Sequence, residues 1–195
     1  MSGTFPDENL ASAAEVPSII EGRLENDSRI IVELNRFQDE LRSRGFGDKE
    51  DSGEYILKSY EGLYLLHRNQ LILINAQKIT FESLVHIFAR RDKDVMTNFL
   101  IYRDLRNRGY VAKEGFGFGN DFRVYERGEY EKKPAKYVVF GVSEGANIKA
   151  RALATAVGQI EKMGKEAVVA VIERRGEVIY YKASKMRFSE NRRTK

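Results

Sequence analysis

"VMTNFLIYRDLRNRGYVAKEGFGFGNDFRVY", residues 95–125, begins with the hydrophobic spacing of a helix and ends with the alternation of a strand. Val95 and Phe99 are one turn apart and therefore share a helix face. Gly109 is the residue type most often found directly after a helix, where the backbone adopts a positive φ. The pattern predicts a helix over residues 92–108 that leads into β-structure.

Two strands are predicted after this helix, at residues 110–113 and 121–125. In the second strand, alternation puts Phe122 and Val124 on one face of the sheet. The opposite face carries Asp121, Arg123 and Tyr125. A tyrosine on such a face is either a half-buried aromatic or a reactive phenol, and alternation alone does not distinguish the two.

Between these strands, three glycines alternate with two phenylalanines in "GFGFG", with the glycines at Gly115, Gly117 and Gly119. A phosphate-binding loop is one interpretation. However, the dinucleotide motif requires G-x-G-x-x-G before a helix, and the P-loop requires G-K-[S/T]. Here the spacing is G-x-G-x-G and a strand follows, so the pattern favours a glycine bend between two strands.

Short strands and helices are also predicted on both sides of this segment. On the N-terminal side the pattern predicts a loop at 43–54, strands at 19–24, 29–33 and 71–74, and a further strand between this loop and the helix at 60–67. It also predicts helices at 36–42, 60–67 and after the N-cap Thr80. On the C-terminal side it predicts strands at 136–142, 167–173 and 178–182, and a helix with Leu153, Ala156, Val157 and Ile160 on one face.

These elements predict an α+β fold with two domains. A small N-terminal α+β domain at residues 18–90 is followed by a C-terminal α/β domain with a mixed sheet at residues 91–186. The polar, Ala/Ser-rich residues 1–17 predict a mobile tail, and residues 187–195 form a basic tail.

Composition excludes several classes of protein. The 195 residues include no cysteine, so disulfides, zinc thiolates and thiol catalysis are excluded, and the two histidines argue against a histidine-rich metal site. The longest apolar run, Leu71–Ala76, is too short to span a bilayer, and the N-terminal stretch lacks the apolar region of a signal peptide. We expect a cytoplasmic protein that does not associate with membranes.

The residues alone define no reaction. Lys165, which follows Gly164 between a predicted helix and strand, is typical of a solvated lysine. His67 and His86 lie in apolar helical runs and are typical of structural histidines. The net charge of +4 suits a polyanion partner only if the basic residues are concentrated on one face.

A longer match carries more information. "YRDLRNRGYVAKEGFGFGNDFRVYERG", residues 102–128, closely resembles the archaeal tRNA-intron endonuclease family, in which Y-x-D-L-R-x-R-G-Y leads into G-x-x-[FY]-G-x-[DE]-F-R-[VL]-Y. Residues 19–33 and 43–73 are similar to the family's N-terminal domain, with "EGLYLL" as its helix, and residues 167–184 are similar to its closing hairpin. The resemblance covers roughly residues 18–186.

The resemblance implies a nuclease-like C-terminal domain and assembly as a tetramer or dimer of dimers. Members of the family cleave precursor tRNA at bulge-helix-bulge introns and need no metal or other cofactor. A ribose 2′-hydroxyl attacks its own 3′-phosphate and leaves a 2′,3′-cyclic phosphate and a 5′-hydroxyl. We therefore expect precursor tRNA as one partner and another endonuclease subunit, which is itself catalytic, as a second.

Three groups perform this reaction in the family: a tyrosine, a histidine and a lysine. They deprotonate the 2′-hydroxyl, protonate the departing 5′-oxygen and stabilise the charge that develops on the phosphate. By resemblance, Tyr125 matches the tyrosine that ends the F-R-V-Y motif. Lys165, just ahead of the strand "AVVAVIE", matches the lysine.

The family's histidine has no counterpart in "KKPAKYVVF". Aligning "AKYVV" puts Pro134 at its place, and counting without a gap from Tyr125 puts Ala135 there. Neither side chain can donate a proton. The family also commonly has an arginine two turns before the lysine, where it stacks on a flipped base, and Gly158 occupies that place.

Two explanations account for these departures. The chain is a structural subunit that pairs with a catalytic chain, or it is a variant from which the acid has been removed. We favour the first, because a designed single change would not also produce Gly158. In either case its own site should be slow or inactive. An alternative function is an RNA-binding or assembly module with no role in cleavage.

The resemblance also implies two assembly surfaces. The turn "ERRGE" retains Glu173 and Glu177 of the family's acidic insertion turn, but two arginines between them reverse the local charge. Tyr180 and Tyr181 lie on a strand that resembles the family's dimer-forming edge. An ordinary sheet edge is the alternative interpretation of this strand.

Overall fold

The computed structural model describes residues 19–26, 29–75, 78–117, 121–143, 145 and 147–186. The predicted tails, residues 1–17 and 187–195, and Gly119 of the glycine motif lie outside these described residues. The described elements follow one another as β1 (Ile20–Glu25), β2 (Arg29–Ile31), α1 (Asn35–Ser43), β3 (Asp48–Lys49), β4 (Tyr55–Leu57), α2 (Ser59–His67), β5 (Leu71–Leu73), α3 (Phe81–Ala89), α4 (Val95–Asn107), β6 (Val111–Glu114), β7 (Asp121–Tyr125), β8 (Tyr137–Ser143), α5 (Ala150–Lys162), β9 (Glu166–Ile172) and β10 (Val178–Ala183).

The N-terminal half forms a five-stranded sheet in the order β3-β4-β2-β1-β5. β1 pairs with β2 antiparallel and with β5 in parallel. The prediction of a loop over residues 43–54 is wrong at Asp48–Lys49, which pairs with Tyr55–Ile56. A two-residue strand has no periodicity of its own and exists only because β4 offers it a partner.

The C-terminal half forms a second five-stranded sheet, in the order β10-β9-β8-β7-β6. β8 and β9 are parallel and are connected through α5, whereas the other pairs are antiparallel. The sheet is therefore mixed, and the predicted α+β class is confirmed. Helix α4 covers one sheet face, and α5 covers the other through Val157 and Ile160.

Local sequence signals explain where the central helices begin and end. The Thr80 hydroxyl accepts a hydrogen bond of 3.3 Å from the Ser83 backbone N–H and so caps α3. Gly109 follows α4 with a φ of +83°, the left-handed conformation that glycine adopts most easily. Both signals act within a few residues of the helix end, which is why the sequence alone predicts them.

An ion cluster around two buried charges, Lys113 and Glu61, connects the two halves of the chain. The ammonium of Lys113, on β6, donates 2.7 Å to the Gly47 carbonyl oxygen and lies 3.1 Å from an Asp48 carboxylate oxygen and 3.6 Å from Glu61 Oε1. Glu61 is fully buried in α2, and burial raises the pKa of its carboxyl. The main apolar core likewise contains residues from both halves, and the exact domain boundaries stay a prediction.

Within the part of the chain that is described, no helix is both long and apolar enough to cross a bilayer. The longest of these helices, α4 and α5, have 13 residues each. A bilayer-spanning helix needs about 20 residues.

Candidate active site

Three strand ends meet at one edge of the C-terminal sheet. Val124 of β7 pairs with Tyr137 of β8, and Tyr137 pairs with Glu166 of β9. Tyr125 and Lys165 are the next residues along the chain beyond these pairs, one after Val124 and one before Glu166. The register therefore brings both predicted site residues to the same edge, on either side of the segment that enters β8.

Tyr125 and Lys165 also share one face of the sheet. Val124 and Val168 line the same groove as Leu105 of α4, so they belong to the α4 face. Ala167 packs in the cluster that α5 covers. Because side chains alternate along a strand, Tyr125 and Lys165 project towards the α5 face.

Two contacts of the Lys165 ammonium are seen among the described residues. It donates a hydrogen bond of 2.6 Å to the carbonyl oxygen of Ala135, and it lies 5.8 Å from the centroid of the Phe116 ring. A lysine ammonium carries three N–H donors. The contact with Ala135 uses one of them and fixes the direction of the side chain, and no other described residue accepts from the remaining two, which can serve an anion at the sheet edge.

Tyr125 is half-buried and packs edge-on against Tyr130, with 5.1 Å between the ring centroids. Tyr130 lies in the loop between β7 and β8, and burial raises the pKa of its phenol. This ring contact orients the aromatic ring of Tyr125. The sequence does not predict Tyr130 as a neighbour, because nothing in the loop pattern indicates that it folds back on the strand.

The described part of the glycine motif, residues 115–117, is a bend held by Asp121. The Asp121 carboxylate accepts 2.7 Å from the Phe116 backbone N–H, and its carbonyl accepts 3.0 Å from Gly115 N–H. A Cβ at Gly115 would collide with that carboxylate and would lie 2.7 Å from the carbonyl oxygen, so only glycine allows this approach. The described part of the bend is thus held against Asp121, the first residue of β7, and the centroid of the Phe116 ring lies 5.8 Å from the Lys165 ammonium.

Asp121 differs from the expectation for a polar sheet face, because it is only 7% exposed. Its carboxylate is buried in order to bind the backbone of the bend. Alternation correctly predicts the faces of Phe122 and Val124, which are buried, but it carries no information about a side chain that caps a neighbouring turn.

The two candidate positions for the family's histidine differ in exposure. Pro134 is exposed, whereas Ala135 is 5% exposed. The chain's own histidines lie on other elements: His67 ends α2 and contacts the rings of Phe81 and Phe99, and His86 lies on α3. Neither helix contributes to the sheet edge that carries Tyr125 and Lys165.

A second cation at this edge is already neutralised. Lys136 Nζ lies 2.6 Å from the Glu126 carboxylate, which raises the pKa of Lys136 and lowers that of Glu126. The Tyr137 hydroxyl donates 3.2 Å to the same carboxylate. Lys136 therefore differs from Lys165, which bonds a neutral carbonyl and keeps its charge available.

The residues predicted for assembly lie on β10 and the turn before it. The Glu173 backbone N–H donates 3.0 Å to the Glu177 carbonyl oxygen and closes the turn. Tyr180 donates 2.8 Å to Asp104 of α4, so its hydroxyl is used within the chain, whereas Tyr181 is 55% exposed. The interface roles of all four predicted residues stay predictions.

Comparisons with known proteins match both halves of the chain. A family model described as the tRNA intron endonuclease catalytic C-terminal domain matches residues 95–180, and one described as the N-terminal domain matches residues 20–85. The two matches together define a two-domain chain of the intron-endonuclease class.

Relatives extend this match along almost the whole chain. Three proteins named tRNA-splicing endonuclease illustrate it. That of Thermococcus onnurineus is 29% identical over 170 residues, 87% of this chain and 98% of its own. That of Methanococcus maripaludis is 30% identical over 159 residues, which are 80% of this chain and 89% of the relative. That of Pyrococcus furiosus is 27% identical over 173 residues, which are 88% of this chain and 99% of the relative. The chain belongs to the tRNA-splicing endonuclease family.

Proposed function

We propose that this chain is a structural subunit of a tRNA-splicing endonuclease that cleaves precursor tRNA at bulge-helix-bulge introns. In this proposal it holds RNA and a catalytic partner chain, and its own site retains two of the three groups that the reaction uses. The products of the complex are a 2′,3′-cyclic phosphate and a 5′-hydroxyl.

The observation that supports the proposal is the sheet edge with Tyr125 and Lys165 on one face and no imidazole from the described elements that form it. The Tyr125 phenol is the candidate base for the ribose 2′-hydroxyl. The Lys165 ammonium keeps two donors that no described residue uses, and with them it would bind a phosphate oxygen and stabilise the charge that builds up during attack.

The missing step is protonation of the departing 5′-oxygen. Pro134 and Ala135, the candidate positions for the acid, have hydrocarbon side chains. A positioned general acid contributes about 10²–10⁴-fold in rate. The chain's own site should therefore bind the phosphate and cleave at a small fraction of the rate of a complete site.

Cleavage of a bulge-helix-bulge RNA in EDTA tests this function. The lone chain should bind the RNA and cleave it slowly, and addition of a catalytic subunit from the same organism should produce fast cleavage with cyclic-phosphate ends. The native mass of the mixture should correspond to a complex that contains both chains.

Each other outcome contradicts one part of the proposal. Fast cleavage by the lone chain contradicts the structural role. Binding that no partner converts into cleavage favours an RNA-binding or assembly module. Cleavage that stops in EDTA contradicts the metal-independent reaction.

A further inference from the structure

Lys185 lies against a glycine of helix α5. A Cβ built on Gly158 would collide with the Lys185 ammonium and would lie 2.9 Å from Lys185 Cε. Gly158 itself is buried, although Lys185 is exposed. Because residue 158 has no side chain, the end of the Lys185 side chain packs directly against the helix at this position.

The backbone of Lys185 is also attached to this helix. Its N–H donates 2.9 Å to Glu161 Oε1, and positions 158 and 161 lie on the same face of a helix because they are three residues apart. No carboxylate lies within ion-pair distance of the Lys185 ammonium among the described residues. The ammonium is held in place by its packing against Gly158 and remains available to an outside anion.

This cation belongs to the same sheet edge as Lys165. In the β9–β10 pair, Ala183 lies opposite Ala167, and the two strands are antiparallel. Pairing ends there, and Lys185 and Lys165 each lie two residues beyond this last pair, at the neighbouring ends of the two strands. Both side chains are on the α5 side, since Lys185 rests on α5 and Lys165 follows the alternation set by Ala167.

We propose that Lys185, which packs against Gly158, is a phosphate-binding residue that contacts the RNA backbone next to the phosphate held by Lys165. The inference rests on the proposed function, because the RNA is its ligand. Two ammonium groups on one face of the sheet edge match a polyanion with regularly spaced charges, and phosphate contacts position an RNA strand without reading its sequence.

Gly158→Ala offers a clean test because its effects on folding and on binding have opposite signs. Alanine is a better helix residue than glycine, and only the end of a flexible side chain has to move. We expect a higher melting temperature together with weaker RNA binding. A position that matters only for packing would not show this combination.

Lys185→Gln removes the charge directly. Binding of a fluorescent bulge-helix-bulge RNA by the full chain is measured from 50 to 300 mM salt. One lost phosphate contact should lower the slope of log K against log salt by about 1 and weaken binding on the order of tenfold at 0.1 M salt. Gly158→Ala should give the same change, and the double variant should show no further loss.

The matched control is Lys93→Gln. It removes an exposed lysine that lies two residues before α4 begins, and it should leave the slope unchanged. If the wild-type chain binds the RNA normally and the salt slope is unchanged in both Lys185→Gln and Gly158→Ala, this inference is overturned and the proposed function is not affected. Absence of RNA binding by the wild-type chain would overturn the proposed function and, with it, this inference.

Discussion

The ammonium of Lys165 donates a hydrogen bond of 2.6 Å to the carbonyl oxygen of Ala135. This contact ties the residue before β9 to the segment that enters β8, and it joins residues 30 positions apart in sequence. It therefore keeps the candidate phosphate-binding cation next to the candidate positions for the absent acid.

Restoring the acid should produce cleavage by the lone chain. Pro134→His puts an imidazole at an exposed position, whereas Ala135→His has to fit a ring into a buried one. We expect Pro134→His to raise the single-turnover cleavage rate at least about 100-fold over wild type, since a general acid contributes about 10²–10⁴-fold. Ala135→His should gain little and lose stability from overpacking.

This comparison distinguishes the two alignments of the acid position. Gel analysis of the cleaved RNA, with detection of the cyclic phosphate, measures the gain. A larger gain in Ala135→His would assign the family's histidine to position 135. No gain in either variant, with normal RNA binding, would contradict the assignment of this edge as the reacting site.

The gain should depend on the other two groups. In the Pro134→His background, Tyr125→Phe keeps the ring that packs on Tyr130 but removes the hydroxyl, and Lys165→Met removes the charge. Each should return the rate to within about tenfold of wild type, because groups that act together are strongly non-additive. The same single-turnover assay measures both.

Lys133→Met is the control for the lysine change. Lys133 is an exposed lysine that pairs only with Glu129 among the described residues, so its loss should leave the gained activity intact. Full activity in the Tyr125→Phe double variant would show that the phenol is not the base.

Lys113→Met should make stability depend on pH. Lys113 is the cation beside buried Glu61, whose pKa is already raised chiefly by burial. Without this cation the pKa of folded Glu61 rises further above the value in the unfolded chain. The folded state then binds the proton more tightly than the unfolded state, so stability is retained below the unfolded pKa and falls as pH rises through the folded pKa.

Urea denaturation at pH 5 and pH 8 measures this effect. We expect a loss of about 3–5 kcal/mol at pH 8, typical of removing one partner of a buried pair, and a smaller loss at pH 5. Lys49→Met, at an exposed position of β3, should change stability little at either pH. Equal losses for Lys113→Met at both pH values would contradict the predicted titration of Glu61.

The free edge of β10 should hold a second subunit. Among the described strands β10 pairs only with β9, and Ile179 and Tyr181 are exposed along it. A lysine on a sheet edge opposes pairing with another strand. We expect Ile179→Lys to raise the subunit dissociation constant about tenfold or more, which corresponds to about 1.4 kcal/mol.

Native mass spectrometry across a dilution series measures this change as a shift towards the 22.4 kDa single chain. Tyr180→Phe is the control, because it removes the hydroxyl that bonds Asp104 within the same chain and keeps the ring. A wild-type chain that is monomeric both alone and with its partner would contradict an interface at this edge.

Local sequence patterns are sufficient for most of the helices and strands. The spacing of Val95 and Phe99 together with Gly109 predicts α4, and the alternation of Phe122 and Val124 predicts β7. These patterns involve residues only a few positions apart, so they can be recognised without knowledge of the fold. The motif at residues 102–128 likewise identifies the family and the position of Tyr125, and the resemblance of the following strand, "AVVAVIE", indicates Lys165.

The contacts that give the edge its chemistry depend on the folded chain. Lys165 meets Ala135 and Phe116, and Lys185 rests on Gly158, although these partners are far apart in sequence. Periodicity reports which face a side chain occupies and carries no information about the element that covers that face. Sheet register and the path of α5 bring these groups together, because strand pairing and helix packing are the interactions that join distant segments of the chain.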